Sequence, residues 1–222
     1  SDATNQTIPA TATNTSSTSS DSANFETNLE FSDVTEKEGW QEVNAGLYSN
    51  AIDKGDHFLY SQTTGEDFVY SADITFLKDQ GAGALIFRGD QNTDVKNAYA
   101  VNLDASNHKA KMWRWDDNQD YQLIDEKDIV PTEDKKYHLK VVALDTWLSY
   151  YINDQLIAST GDYILQRDDK GQDTFIQEGY LGLLNWNGEM IFQNVRYTPL
   201  TDDSSPIIED IVVTSDGTVE AK

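Results

Sequence analysis

The stretch from Gly81 to Trp115, GAGALIFRGDQNTDVKNAYAVNLDASNHKAKMWRW, concentrates Arg, Asn, Asp and Trp between short apolar runs. Side chains alternate across a strand, so Lys109, Lys111, Trp113 and Trp115 are expected on one face and Ala110, Met112 and Arg114 on the other. In the preceding run Ala100, Asn102 and Asp104 point one way, and Tyr99, Val101 and Leu103 the other. Neither pattern is a simple apolar-in, polar-out strand. Flat indole rings beside a planar amide and a carboxylate suit a sugar, whose C–H face packs on the ring while polar groups grip vicinal hydroxyls. An ordinary sheet with half-buried tryptophans and a structural Arg88–Asp104 pair accounts for the same residues. Both readings stay open on these residues alone.

The elements that would position these groups are strands. Ala84 to Arg88, Tyr99 to Asp104 and Lys109 to Trp115 are each bounded by Gly, Asn, Asp or Ser, which predicts a β-meander. Phe68 to Leu77 is the longest clean alternation, with Phe68, Tyr70, Ala72, Ile74 and Phe76 on its core face. His57 to Ser61 reads as a strand after the Asp53 to Asp56 turn, and Gln122 to Asp125 as an edge. Tyr137 to Leu144 follows the Pro131 turn. Trp147 to Ile152 and Leu156 to Ala158 form a hairpin through Asn153-Asp154, residues that accept the positive φ of its turn. Tyr180 to Asn185 and Met190 to Tyr197 close the domain through Trp186-Asn187-Gly188. Ten or more short strands without a sustained helical period predict an all-β fold, a β-sandwich or jelly roll.

Residues 1–24 are almost all Ser, Thr, Ala and Asn and are expected to be a disordered linker. Such spacers tether modules in extracellular proteins, which tips localisation outside the cell. The sandwich is expected over residues 25–200. Residues 201–222 are expected to be a linker toward a following domain, with the apolar run Ile207 to Val213 meeting something outside this chain. The first residues lack the basic and apolar regions of a signal peptide, which implies a mature form, an excised piece or a chain never secreted.

Sixteen Lys and Arg stand against 39 Asp and Glu, a formal charge of −23. That field repels phosphates and anionic lipids, so neither nucleic acid nor a membrane surface is an expected partner. No apolar run approaches the roughly 20 residues needed to span a bilayer. There is no Cys, which excludes disulfides and thiolate metal sites.

Taken in order, GWQEVNAGL, DFVYSADITF, GAGALIFR, NAYAVNLD, KKYHLKVVA, YINDQLI and GYLGLLNWNG with FQNV resemble the family 66 carbohydrate-binding modules of bacterial levanases and fructan β-fructosidases. The resemblance runs from about Gly39 to Tyr197. It implies a concanavalin- or laminin-G-like sandwich that captures fructan non-catalytically at a terminal fructose, as part of a secreted, cell-wall-associated hydrolase of a Gram-positive-like bacterium. It carries Arg88, Tyr99, Asn102, Asp104 and Asn187 over as sugar-binding positions, with Arg88 and Asp104 gripping adjacent hydroxyls. Trp186 stands where relatives have Phe and would enlarge an aromatic wall. Ser71 stands where related modules often carry Glu, which leaves levan against inulin open. Trp113, Trp115 and Trp186 are the binding candidates among the tryptophans, while Trp40 and Trp147 are expected to pack.

Catalysis by this chain has little in its favour. With 39 carboxylates some pairs must lie at about the 5 to 10 Å spacing of a glycosidase, so a pair in the abstract means nothing. The nucleophile and acid motifs of fructan hydrolases are absent, and Arg167-Asp168-Asp169 lacks the Pro of their third motif. His57, His108 and His138 are scattered, as structural or solvated histidines would be. Asp116, Asn118 and Asp120 place oxygen donors at alternate positions; an EF-hand is rejected, since Tyr121 and Lys127 stand where Gly and Glu belong, but either this loop or Asp90, Asn92 and Asp94 makes a structural Ca²⁺ possible. No cofactor is required. The expected partner is a fructan or fructo-oligosaccharide and the expected state a monomer. Two other readings remain, a ligand-binding module of a surface adhesin and a concanavalin-like glycoside hydrolase.

Overall fold

The computed structural model describes residues 26–200 apart from 33, 35–36, 45, 91–96, 116–120 and 162–174, together with the backbone of Ile211–Val213 and Val219–Ala221. In chain order the strands are β1 (Thr27–Asn28), β2 (Trp40–Val43), β3 (Gly46–Asn50), β4 (Asp56–Gly65), β5 (Phe68–Phe76), β6 (Ala82–Gly89), β7 (Ala98–Asp104) and β8 (Lys109–Trp115). They continue as β9 (Tyr121–Asp128), β10 (Lys136–Leu144), β11 (Trp147–Ile152), β12 (Gln155–Gly161), β13 (Gly179–Trp186), β14 (Glu189–Pro199), β15 (Ile211–Val213) and β16 (Val219–Ala221). No α-helix occurs among the described residues.

Two antiparallel sheets pack into the expected β-sandwich. One runs β12-β11-β10-β5-β14-β3-β2, with β1 beside β14, and the other β4-β13-β6-β7-β8-β9. The alternation of β5 is the reason they face each other: Phe68, Tyr70, Ala72, Ile74 and Phe76 are all buried. They meet Leu85 and Phe87 of β6, Tyr99, Val101 and Leu103 of β7, Met112 of β8 and Leu183 of β13 in one apolar cluster. Each Leu, Ile, Val, Phe or Met among them contributes about 1.5–3 kcal/mol when fully buried. Two buried polar groups are satisfied across the gap between the sheets. The Tyr70 hydroxyl donates to the Gly182 carbonyl at 2.9 Å, and the Asn185 amide donates to Ser49 Oγ at 2.9 Å.

Trp40 packs inside against Phe192, with ring centroids 5.6 Å apart. Trp147, expected to pack, is 49% exposed at the start of β11. Leu148, Tyr150 and Ile152, in the opposite phase of the strand, take the core face, which turns Trp147 outward. The β11–β12 turn uses Asn153 and Asp154 at φ 50° and 63°, as the hairpin signal requires. Near the end of the chain the backbone of Ile211–Val213 pairs with that of Val219–Ala221.

Candidate functional site

Register places the outward side chains of the six-stranded sheet in lateral rows. Asp56 of β4 lies opposite Trp186 of β13, Trp186 opposite Ala82 of β6, and Ala82 opposite Asp104 of β7. One row along, Phe58, Leu184, Ala84, Asn102 and Lys111 follow one another in the same way. Ala100 then faces Trp113, and Ala98 faces Trp115 opposite Tyr121 of β9. Large side chains on β4 and β13 and on β8 and β9 therefore flank a strip of alanines on β6 and β7. The result is a groove of about 390 Å³ walled by Trp186 and Phe58 on one side and Trp113, Trp115 and Tyr121 on the other.

The aromatic wall is ordered by its own contacts. Trp113 Nε1 donates to Asn102 Oδ1 at 2.9 Å, fixing indole and amide together. Tyr121 meets Trp113 edge-on at 5.5 Å between centroids, and Trp115 lies 6.2 Å away at 49°. Tyr121 is 68% exposed and Trp186 47%, so ring surface is presented to solvent at both sides.

At the other end the polar groups converge on Asp104. Its carboxylate accepts from the Asn107 backbone at 3.1 Å, from Asn107 Nδ2 at 2.9 Å and from Lys111 Nζ at 2.9 Å. Burial alone would raise the Asp104 pKa, but these donors outweigh it and hold the carboxyl below its ordinary 3.8. Asp56, at the opposite end of the same row, is shifted upward by burial, with His57 pulling the other way. Lys111 also lies 3.8 Å from Glu126. The groove thus offers aromatic faces, the amides of Asn102 and Asn107, a network of fixed charges and a second carboxyl. That set can pack a sugar ring and hydrogen-bond its hydroxyls.

Five of the eight expected sugar-binding residues line this groove: Asn102, Asp104, Trp113, Trp115 and Trp186. Three do not. Tyr99 is fully buried and stacks on Phe87 at 5.5 Å, because its phase in β7 is the core phase. Asn187 sits in the β13–β14 turn at φ 49° and its Oδ1 accepts from the Asp53 backbone at 2.8 Å, a turn-closing role. Arg88 is 0% exposed. Its guanidinium donates to the carbonyls of Glu66 at 2.7 Å, Asp145 at 2.8 Å and Ile176 at 3.1 Å, and pairs with Asp67 at 3.5 Å. Ala82, the partner of Asp104, is six residues from Arg88 along β6, about 20 Å at strand rise. Arg88 and Asp104 therefore neither pair nor grip one sugar.

Ser71 lies on the outward face of β5, in the other sheet, so the place expected of a Glu in relatives is remote from the groove. Asp116, Asn118 and Asp120 lie outside the described residues, as do Asn92, Asp94 and Arg167 to Asp169. Among the described residues no three His or carboxylate side chains gather as a metal site. His138 bonds Asp73 at 2.8 Å and His57 is buried, both structural settings. Asp56, Phe58, Asn107 and Tyr121 are groove residues that sequence reasoning did not single out. Lys111 was visible by its phase with Trp113, whereas Asp56 and Phe58 enter only through the long-range pairing of β4 with β13.

A profile of the family described as 3-keto-alpha-glucoside-1,2-lyase-like domain matches residues 19–198. The chain is 56% identical over 195 residues to a fructan beta-fructosidase of Streptococcus mutans serotype c, covering 87% of this chain and 14% of that protein. It is 34% identical over 166 residues to a levanase of Bacillus subtilis, covering 71% of this chain and 22% of the other. The chain therefore spans less than a quarter of either relative. Among solved structures, the carbohydrate binding module CBM66 from Bacillus subtilis superposes with a TM-score of 0.60 at 29% identity, covering 78% of this chain and 94% of that one. The chain belongs to the 3-keto-alpha-glucoside-1,2-lyase-like domain family, as a CBM66-like domain of the kind carried by levanases.

Proposed function

We propose that the chain binds fructan in the groove on its six-stranded sheet, without catalysing its cleavage, and so holds an attached fructan hydrolase against its polymer outside the cell. The observation that carries this reading is the alanine-floored groove between Trp186 and the Trp113, Trp115 and Tyr121 wall, with Asp104, Asn107 and Lys111 at its end. Fructose units present C–H faces to such rings and hydroxyls to such donors and acceptors. The likeness to a fructan beta-fructosidase and a levanase supports fructan as the polymer. Binding at one groove is expected to be weak and to gain from tethering, since an attached enzyme then meets its substrate at a raised local concentration.

Affinity electrophoresis of the chain in gels containing levan, inulin or an unrelated glucan tests this. Retardation by a fructan and not by the glucan is expected, together with no reducing sugar released from either fructan. Trp186→Ala, an exposed change, should reduce the retardation several-fold with its circular dichroism unchanged. Equal retardation of Trp186→Ala and the parent chain would remove the groove from the account. Sugar release would replace the binding module by a hydrolase.

A further inference from the structure

We propose that Asn187-Gly188, in the turn between β13 and β14, is a site of spontaneous deamidation that the folded chain holds shut, with Asn185 as the residue that guards it. It is the one Asn-Gly step in the 222 residues. Asn is a thermolabile side chain, and a following Gly has no Cβ to keep its nitrogen from the Asn carboxamide. The reaction is a cyclisation. Gly188 N attacks Asn187 Cγ, the Cγ–Nδ2 bond breaks, and the proton of the Gly188 amide leaves with Nδ2 as ammonia. Water then opens the succinimide, at Cγ to give aspartate or at the main-chain carbonyl to give isoaspartate.

Both reacting groups are tied down. Gly188 N, the nucleophile, donates to Asn185 Oδ1 at 3.1 Å, and an imide nitrogen has no hydrogen to donate, so this bond has to break before the ring can form. Asn185 is itself fixed: it is fully buried, and its Nδ2 donates to Gly188 O at 3.0 Å and to Ser49 Oγ at 2.9 Å. The electrophile is held as well. Asn187 Oδ1 accepts from Asp53 N at 2.8 Å and Asn187 N donates to Gly55 O at 3.2 Å, which anchors the carboxamide on the β3–β4 loop instead of letting it turn over its own main chain. Gly81 closes a further side, where an added Cβ would stand 2.5 Å from Gly188 N. Cyclisation therefore needs a local opening of the turn, and its rate is the intrinsic rate scaled by the open fraction. The product adds a negative charge beside the Asp53 to Asp56 turn, and isoaspartate lengthens the main chain directly after the exposed Trp186.

Incubation of the whole chain at alkaline pH, folded and in concentrated guanidinium chloride, followed by peptide mass spectrometry and an isoaspartate assay, tests this. The unfolded chain should convert at Asn187, and the folded chain at least about tenfold more slowly, the effect of a turn opening that costs about 1.4 kcal/mol. Asn185→Ala, its fold checked by circular dichroism, should convert about fivefold faster than the folded parent, the worth of one buried hydrogen bond. A smaller slowing in the folded parent, or an unchanged rate in folded Asn185→Ala, would overturn the proposal. The parent chain supplies a second arm that needs no variant to fold: hydrogen exchange at the Gly188 amide and conversion of Asn187 should rise in parallel through low guanidinium concentrations. Exchange that rises while conversion stays flat would overturn it equally.

Discussion

Trp113 is held at its edge. Its Nε1 is engaged by Asn102 and its flank by Tyr121, so the indole is pre-set before any ligand arrives and little side-chain entropy remains to be lost on binding. His57, at the far wall, illustrates the opposite situation. Its ring is pressed on Gly39, where an added Cβ would meet Nδ1, and that nitrogen has no hydrogen-bond partner among the described residues. Burial lowers the His57 pKa below 6.5, against the pull of Glu38 and with that of Lys54, while Asp56 also pulls upward. A base with a depressed folded-state pKa contributes stability that is complete above 6.5 and lost as pH falls below it. Asp104 and Asp73, both held below 3.8, contribute their loss only in stronger acid. Asp56, shifted upward, works in the opposite direction. The melting temperature should therefore fall between about pH 7 and pH 5, and fall less in His57→Leu; identical slopes in the two chains would contradict this.

At the scale of elements, β6 carries the decisive irregularity. Ile86 pairs with Gly182 but Gly89 with Tyr180, three steps on one strand against two on the other. Arg88 takes φ 51° in this bulge, and its side chain leaves the groove face for the end of the sandwich. There it joins the β4–β5 turn, the β10–β11 turn and the segment before β13 through backbone carbonyls. Arg88→Ala should cost about 3 kcal/mol in urea unfolding, since it strands buried carbonyls and Asp67. Trp186→Ala should cost less than about 1 kcal/mol. Full stability of Arg88→Ala together with loss of fructan retention would return Arg88 to the sugar site.

The same strand shows what the chain discloses before folding. Alternation in Phe68 to Phe76, Ala98 to Asp104 and Lys109 to Trp115 identifies those strands and their faces, because a period of two is a local property. It puts Tyr99 on the face opposite Asn102 and Asp104, so the resemblance that made all three sugar-binding positions conflicted with the alternation, and the structure follows the alternation. The bulge does not follow from a local period, because an Arg at positive φ leaves no mark in composition. Nor does the row from Asp56 through Trp186 to Asp104, which depends on pairings between segments distant in sequence. Trp147 misled for a related reason: a Trp at a hairpin start reads as packing until the register turns it outward.

For the whole molecule, the two sheets present tryptophans to solvent on opposite outer faces. Trp186 on β13 and Trp147 on β11 are almost equally exposed, at 47% and 49%. Trp186 lines the groove. An overall charge of −23 does not favour either surface for an uncharged polymer, so aromatic geometry has to discriminate between them. The direct measurement is a two-dimensional NMR titration of the chain with levan oligosaccharides, following the five indole N–H resonances. Trp113, Trp115 and Trp186 should shift progressively, while Trp40 in the core and Trp147 on the other sheet stay in place. Shifts at Trp147 with Trp113, Trp115 and Trp186 unmoved would contradict a sugar site on the six-stranded sheet.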